Sequence, residues 1–322
     1  MRTGLARPRA LQLGTDDLRS AAILVPFAIL FAVLALASPP FLTTTNLLNL
    51  LDQQAHVLII AAAGTLVLIA GGIDLSVGAV AALAAVTAAT VTLTFGAGLG
   101  ILAGLTVGLV AGFVNGVIVT VFRINALIAT LAMSFLLSGL ASLVTGGNLI
   151  VLFEQPEFGV VSRTDILGVR SSTWIMLVGV AALAIVLARS TVGRYIYAVG
   201  GNAEAAFLAG VPVRPVRLAT FVVSGLAAGI GGVIVASRTL SAQATSGQEL
   251  AFTVLAGIVV GGTSIAGGEG AVWRTVVGVL FIALIGNGFN LLGLDPLYRQ
   301  IALGTIILLA VGVDAALRGR RR

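Results

Sequence analysis

Long stretches without a formal charge constrain this chain more than any motif. Residues 20–51, 53–73, 75–122, 124–153, 171–188, 218–237 and 250–268 contain no Asp, Glu, Lys or Arg. A helix needs about 20 apolar residues to cross the hydrocarbon core of a bilayer, and these runs reach or approach that length. Only 9% of the residues are charged and 58% are hydrophobic, whereas a soluble protein carries roughly 25% charged residues. The runs are continuous rather than alternating every second residue, which excludes a porin-like barrel. The sequence therefore predicts an all-α polytopic membrane protein.

The hydropathy pattern predicts ten transmembrane helices near 21–38, 47–70, 76–95, 98–121, 124–145, 172–188, 216–237, 250–266, 275–293 and 297–315. With the N-terminus inside, Arg2, Arg7, Arg9, Arg19, Arg123, Arg189, Arg194, Arg214, Arg217, Arg274 and the terminal Arg318, Arg320, Arg321 and Arg322 share one side. Arg163, Arg170, Arg238 and Arg299 remain on the other. This asymmetry follows the positive-inside rule and places both termini in the cytoplasm. The net charge of +6 thus marks loop orientation rather than nucleic-acid binding. The division expected is a cytoplasmic tail at 1–20, a membrane domain at 21–317 whose longest cytoplasmic loop is 189–216, and a basic cytoplasmic tail at 318–322. Residues 2–19 and 21–37, with Ala35-Leu36-Ala37, also resemble a signal peptide. The first helix is long and the chain re-enters the membrane at once, which favours a retained span.

Composition removes several chemistries. The chain has no cysteine, so disulfides and thiolate metal sites are absent. It has no lysine either, which excludes a phosphate-binding P-loop and Schiff-base chemistry. If ATP drives this protein, another chain hydrolyses it. One histidine and sparse carboxylates leave no catalytic set and no cofactor or metal site, so an enzyme embedded in the membrane is disfavoured.

Two pairs of short motifs hint at internal symmetry. Gly72-Ile73-Asp74-Leu75 opens the expected third helix and Gly247-Gln248-Glu249-Leu250 the eighth. Asn115-Gly116 lies near the end of the fourth helix and Asn287-Gly288 near the end of the ninth. Both pairs link helices five apart, which run in opposite directions. This is the pattern of an inverted five-helix repeat, a frequent transporter design. Gly100, Gly104, Gly108, Gly112 and Gly116 recur every fourth residue along the fourth helix and form a stripe where backbones can approach closely. Gly225 and Gly229 repeat the spacing in the seventh.

Asp74 is the only formal charge between Gln53 and Phe122. A carboxylate within a bilayer faces protein or water. Gly71 and Gly72 interrupt the helix before it, so Asp74 is expected at or near the start of a new helix, where the positive dipole end favours an anion. Two readings stay open: a helix cap, or a pathway or gating element at an interrupted helix. Glu249 has the mirrored position and the same two readings. Asp52 and His56 stand one helical turn apart, where they could pair on one face; a polar contact at a dimer or helix interface is favoured over a proton relay.

Several blocks, in order, carry a family resemblance: FLTTTNLLNLL at 41–51, GGIDLSVG at 71–78, NGVIVTVFRINALIATLAM at 115–133, GRYIYAVGGNAEAAFLAGV at 193–211 and SAQATSGQELAFTVLAGIVVGGTSIAGGEG at 241–270. The chain beyond residue 40 resembles the permease subunit of ribose-type ABC sugar importers. The resemblance implies a homodimer of ten-helix subunits of the vitamin-B12-importer type in the bacterial cytoplasmic membrane. It implies a separate ABC ATPase, an extracytoplasmic sugar-binding protein, a monosaccharide substrate and a lipid environment. It also implies that Glu204-Ala205-Ala206 and Gly210 form the helix that docks the ATPase, with Asn202 as its cap and Arg194 nearby. By the same similarity Asn125 is a gate candidate; Asn115 and Asn287 from the repeat motifs, with Asp74 and Glu249, are further pathway or gate candidates, and the mixed charges of 146–171 suit docking of the binding protein. Gly104, Gly108 and Gly112 are assigned to helix packing. An ion-coupled secondary transporter or channel is the alternative. It would show a carboxylate or histidine cluster within the spans, and Asp52, His56 and Asp74 are the sole candidates.

Overall fold

The computed structural model describes residues 15–295 except 248, together with positions 298, 301, 304, 305 and 308. The expected tenth helix at 297–315 and the tail at 318–322 therefore lie largely or wholly outside the described residues.

Helix α1 (Thr15–Ala37) is followed by a 3-10 turn and then by α2 (Thr44–Ile69), α3 (Val77–Phe95), α4 (Ala97–Thr120) and α5 (Ala126–Thr145). An irregular connection holds the short α6 (Val160–Arg163) and leads to α7 (Ser171–Arg189), α8 (Thr191–Gly201) and α9 (Ala203–Leu208). The remaining helices are α10 (Val213–Thr239), α11 (Leu250–Val260) and α12 (Val272–Leu291). Four two-residue strands complete the described residues: β1 (Ile150–Val151), β2 (Asp165–Ile166), β3 (Val169–Arg170) and β4 (Ser241–Ala242). They pair antiparallel, β1 with β4 and β2 with β3.

Among the described residues, α2, α3, α4, α5, α7, α10 and α12 are long and apolar enough to cross a bilayer. The described apolar part of α1, Ile23–Ala37, and the 11-residue α11 are shorter. The expected span at 250–266 is thus corrected: α11 stops at Val260. Gly261 and Gly262 end it, with Gly262 in the left-handed region (φ +80°), and no charge in the sequence marks that point.

The most enclosed helices are α2, α3 and α10, while fewer than half of the residues in the apolar windows of α4, α5 and α7 are buried. Ala61, Ala62 and Ala63 of α2 are completely buried. Helix α10 runs antiparallel to α2. The Arg217 Nε donates to the Ala70 carbonyl (3.1 Å) at one end, and the Arg238 Nη1 donates to the Asp52 and Gln53 carbonyls (3.2 Å each) at the other. Helix α10 is also antiparallel to α4, and here glycines set the distance. A Cβ added at Gly108 would lie 2.5 Å from the Gly225 carbonyl oxygen and 2.7 Å from the Gly229 Cα. One added at Gly112 would lie 2.5 Å from the Phe221 carbonyl oxygen, and one at Gly104 2.7 Å from Val233. Such close backbone approach replaces the hydrophobic drive that lipid does not supply between helices.

These pairings define two ends of the bundle. The α9 end carries α8, α9 and the α4–α5 turn. The opposite end carries β1, β4 and α6, where the Ser237 Oγ of α10 accepts from the Ser162 N–H and donates to the Phe158 carbonyl.

Candidate functional site

Helix α2 ends where Ala70 caps it and Gly71 enters the left-handed region (φ +82°). Residues 72–76 are non-helical before α3 begins at Val77. An irregular backbone among apolar spans needs partners for its polar groups, and the segment itself with three helices supplies them. The Asp74 Oδ1 accepts from the Ser76 N–H (3.0 Å) and Ser76 Oγ (2.6 Å). Its Oδ2 accepts from the Ser224 Oγ of α10 (2.8 Å). The buried Asn115 of α4 donates from Nδ2 to the Ser76 Oγ (2.7 Å), and its Oδ1 has no hydrogen-bond partner. From α5, the Thr130 Oγ1 accepts from the Leu75 N–H (3.1 Å) and lies 3.1 Å from the Ile73 carbonyl oxygen.

Asp74 thus lies near the start of the third helix, as expected, but does not cap it. Ser76 holds the cap position without a side-chain capping bond. Asp74 lies two residues earlier, its carboxylate folded back onto Ser76 and across to α10. The sequence did not single out Ser76, Ser224 or Thr130. Their signal was a hydroxyl within or beside an uncharged span, which also occurs at many positions that only bond to their own helix.

A second discontinuity faces the first. Helix α10 ends with Leu240 in the left-handed region (φ 48°), and α11 does not begin until Leu250. Gly247, in between, packs against Gly78 so closely that a Cβ on either would strike the carbonyl oxygen of the other. The first turns of α3 and α11 therefore converge. Glu249 precedes α11 but is exposed and makes no capping bond, so the capping reading does not hold for its side chain. After α11, the glycine-rich stretch 261–271 returns to the α9 end. There the Gly268 N–H donates to the Ile69 carbonyl (2.8 Å) and the Tyr197 Oη donates to the Gly270 carbonyl (2.7 Å).

The other candidates are dispersed. Asn287 exchanges amide hydrogen bonds with Asn46 at the start of α2 (2.9 and 3.2 Å). Asn125 caps α5, its Oδ1 accepting from the Leu127 N–H (3.0 Å) and Ile128 N–H (3.4 Å). Asp52 and His56 do not pair; Asp52 instead makes a polar contact between helices. The Asp52 Oδ1 accepts from the Ser172 Oγ of α7, and the His56 Nδ1 has no hydrogen-bond partner. Among the described residues no group of His, Asp and Glu is arranged to hold a metal ion.

At the α9 end, the Asn202 Oδ1 accepts from the Glu204 and Ala205 N–H groups (3.0 Å each), which fixes the start of α9. Gly210, left-handed at φ +83°, ends it; its N–H donates to the Phe207 carbonyl and the Val211 N–H to the Ala206 carbonyl (2.9 Å each). Ala206 faces inward and is buried, while Glu204, Ala205, Phe207 and Leu208 are exposed. The Arg194 Nη2 donates to the Thr191 Oγ1 (2.9 Å) on α8, a helix that sequence reasoning missed within the 189–216 loop. An open groove of about 1050 Å³ beside α9 is lined by Arg123, Glu204, Phe207, Pro212 and Arg214, among others.

Residues 46–311 match the family described as branched-chain amino acid transport system / permease component. The chain is 38% identical over 295 residues to the ribose import permease protein RbsC of Escherichia coli K12, covering 90% of this chain and 92% of that one. It is 38% identical over 288 residues to the ribose import permease protein RbsC of Bacillus subtilis, 89% of each chain. It is 36% identical over 301 residues to the L-arabinose ABC transporter permease protein AraH of Azospirillum brasilense, covering 93% and 88%. No solved structure matches.

Proposed function

Since the chain belongs to the family of ABC-transport permease components, we propose that it is the membrane-spanning subunit of an importer that carries a monosaccharide into a bacterial cell. The family description names branched-chain amino acids, but relatives that match nearly end to end are named for ribose and L-arabinose. That near-complete match carries the sugar assignment. The chain is a transport subunit rather than an enzyme, and an ATPase and a substrate-binding protein work with it.

The finer reading is a homodimer of ten-helix subunits with an inverted repeat and vitamin-B12-importer-type architecture, set among lipid. Both termini and the tails at 1–20 and 318–322 are cytoplasmic, and 21–317 form the membrane domain. In this reading α9 docks the ATPase through its exposed face at Glu204, Ala205 and Phe207, with Asn202 and Gly210 fixing its ends and Ala206 anchoring it. Arg194 on α8 adds a cation to the same side. Asp74 and Asn115 hold the discontinuity between α2 and α3, Glu249 stands at the second discontinuity, and Asn125 and Asn287 are gate positions. The convergence of two helix N-terminal turns at Gly78 and Gly247 supports a pathway there, because interrupted helices supply polar backbone to a solute within the membrane.

Reconstitution tests this reading. Vesicles holding the chain, its ATPase and its binding protein are expected to accumulate ribose or arabinose only with ATP, and to do so after ion gradients collapse. Uphill uptake by the isolated chain would overturn the assignment.

A further inference from the structure

A cavity of about 450 Å³ opens at the α9 end, between the break after α2, the end of α4, the α4–α5 turn and the first turns of α10. Three of its lining residues are Arg123, Arg214 and Arg217, and none is acidic. Arg217 spends its Nε on the Ala70 carbonyl. Arg123 and Arg214 have neither a hydrogen-bond nor an ion-pair partner among the described residues. Arg123 sits in the left-handed region at φ 58°, a strained backbone for a residue with a Cβ. The wall also holds the first residues of two helices, Ala126 of α5 and Val213 of α10. Helix α10 starts without a side-chain cap, so its free N–H groups and positive dipole end add to the field.

We propose that this cavity binds a phosphate-bearing anion, with Arg123 and Arg214 as its principal ligands and Arg217 completing the positive wall. Guanidinium groups match phosphate oxygens in paired hydrogen bonds, and three of them around one space leave a charge that an anion neutralises. The cavity is of small-molecule size. Its inner wall is apolar, with Val67, Val119 and Phe221, and the adjoining turn exposes Val121, Phe122 and Ile124. A charged rim with apolar walls fits a phosphate carrying a less polar group. Two sources present that chemistry: the headgroup of an anionic phospholipid, which basic pockets between membrane helices recognise, and a soluble phosphate ester. Arg123 and Arg214 also line the groove beside α9, but binding to the cavity is tested without the ATPase or a sugar.

Native mass spectrometry of the purified full-length chain in a neutral detergent separates the outcomes. The probes are phosphatidylglycerol, phosphatidylcholine and glycerol 3-phosphate. The expected result is one bound anion per chain, retained at least about tenfold better than phosphatidylcholine and weakened by added salt, as a screened ion contact must be. Binding of phosphatidylglycerol alone identifies the lipid source, binding of glycerol 3-phosphate alone the soluble source, and binding of both shows that the phosphate suffices; each supports the site. The double variant Arg123→Gln/Arg214→Gln is expected to lose at least about tenfold in affinity. Arg189→Gln, an exposed change at the same end, leaves it unchanged. Equal retention of both lipids without glycerol 3-phosphate binding overturns the proposal. So does undiminished affinity in the double variant. Should that variant fold poorly, the wild-type probe comparison still decides.

Discussion

Asp74 shows what one half-buried carboxyl group does for an irregular segment. Its two oxygens take hydrogen bonds from Ser76 N–H, Ser76 Oγ and Ser224 Oγ, so it joins the start of α3 to α10. Replacing it with Ala leaves these donors without an acceptor, at about 1–3 kcal/mol for unmade buried hydrogen bonds. Asp74→Ala is therefore expected to lower the melting temperature in detergent clearly more than Asp74→Asn, which keeps one acceptor oxygen. Ser224→Ala is expected to cost about 1 kcal/mol. A double-mutant cycle between Asp74 and Ser224 reads their coupling directly, because residues in one network are not additive. Additive melting shifts would show that the two groups do not interact. Asp74 was legible in the sequence because a lone charge in an uncharged run has to be explained. Ser224 was not, since nothing local separates a hydroxyl that crosses to another element from one like Thr106, which bonds to its own helix. Asn287 is similar: its repeat-like context marked it in the sequence, but its partner Asn46 was not legible there.

At the level of elements, the glycine stripe on α4 was readable as a periodicity, but its partner was not. Nothing in the spacing says that Gly108 faces Gly225 and Gly229 of α10. Gly108→Ala is expected to push the two helices apart and cost about 1–3 kcal/mol, the usual penalty for overpacking. Gly139→Ala on α5, where a Cβ meets nothing within 4 Å, is expected to be neutral or stabilising by up to about 1 kcal/mol, since Ala favours helix. Parallel melting curves of the two variants check this; equal shifts would mean that the α4–α10 contact tolerates a methyl group. Helix boundaries were less legible where backbone conformation alone sets them. The run at 250–268 has no charge, and its break at Gly262 is a φ value rather than a polar signal. Helix α9 was legible from its cap, because Asn202 and Gly210 are the residues that such ends require. Glu204→Arg reverses the charge on its exposed face while leaving that cap intact. It is expected to abolish ATP-driven uptake at unchanged membrane insertion, measured in the same vesicles; normal uptake would remove α9 from the docking role.

For the whole molecule, the question is how α9 at one end reaches the discontinuities deeper in the bundle. Three chain segments meet beneath α9 with almost no side chain between them. A Cβ at Gly200, at the end of α8, would strike the Ile69 carbonyl oxygen and lie 2.6 Å from the Gly268 N. One at Gly267 would lie 3.0 Å from both the Gly200 carbonyl oxygen and the Gly71 Cα. The same junction therefore touches the segment leading into α9, the break after α2 and the return from α11. Contacts between backbones deform little, so displacement of α8 and α9 passes to both breaks rather than being absorbed by side-chain rotation. Gly200→Val is expected to wedge this junction open. Capture of the ATPase by the permease should persist, because the exposed face of α9 is unchanged, whereas sugar uptake per ATP hydrolysed should fall. Gly201→Ala, with nothing within 4 Å of its added Cβ, should change neither. Measured side by side, normal coupling in Gly200→Val would show that the glycine junction transmits nothing. Lost ATPase capture would instead place its effect on α9 itself.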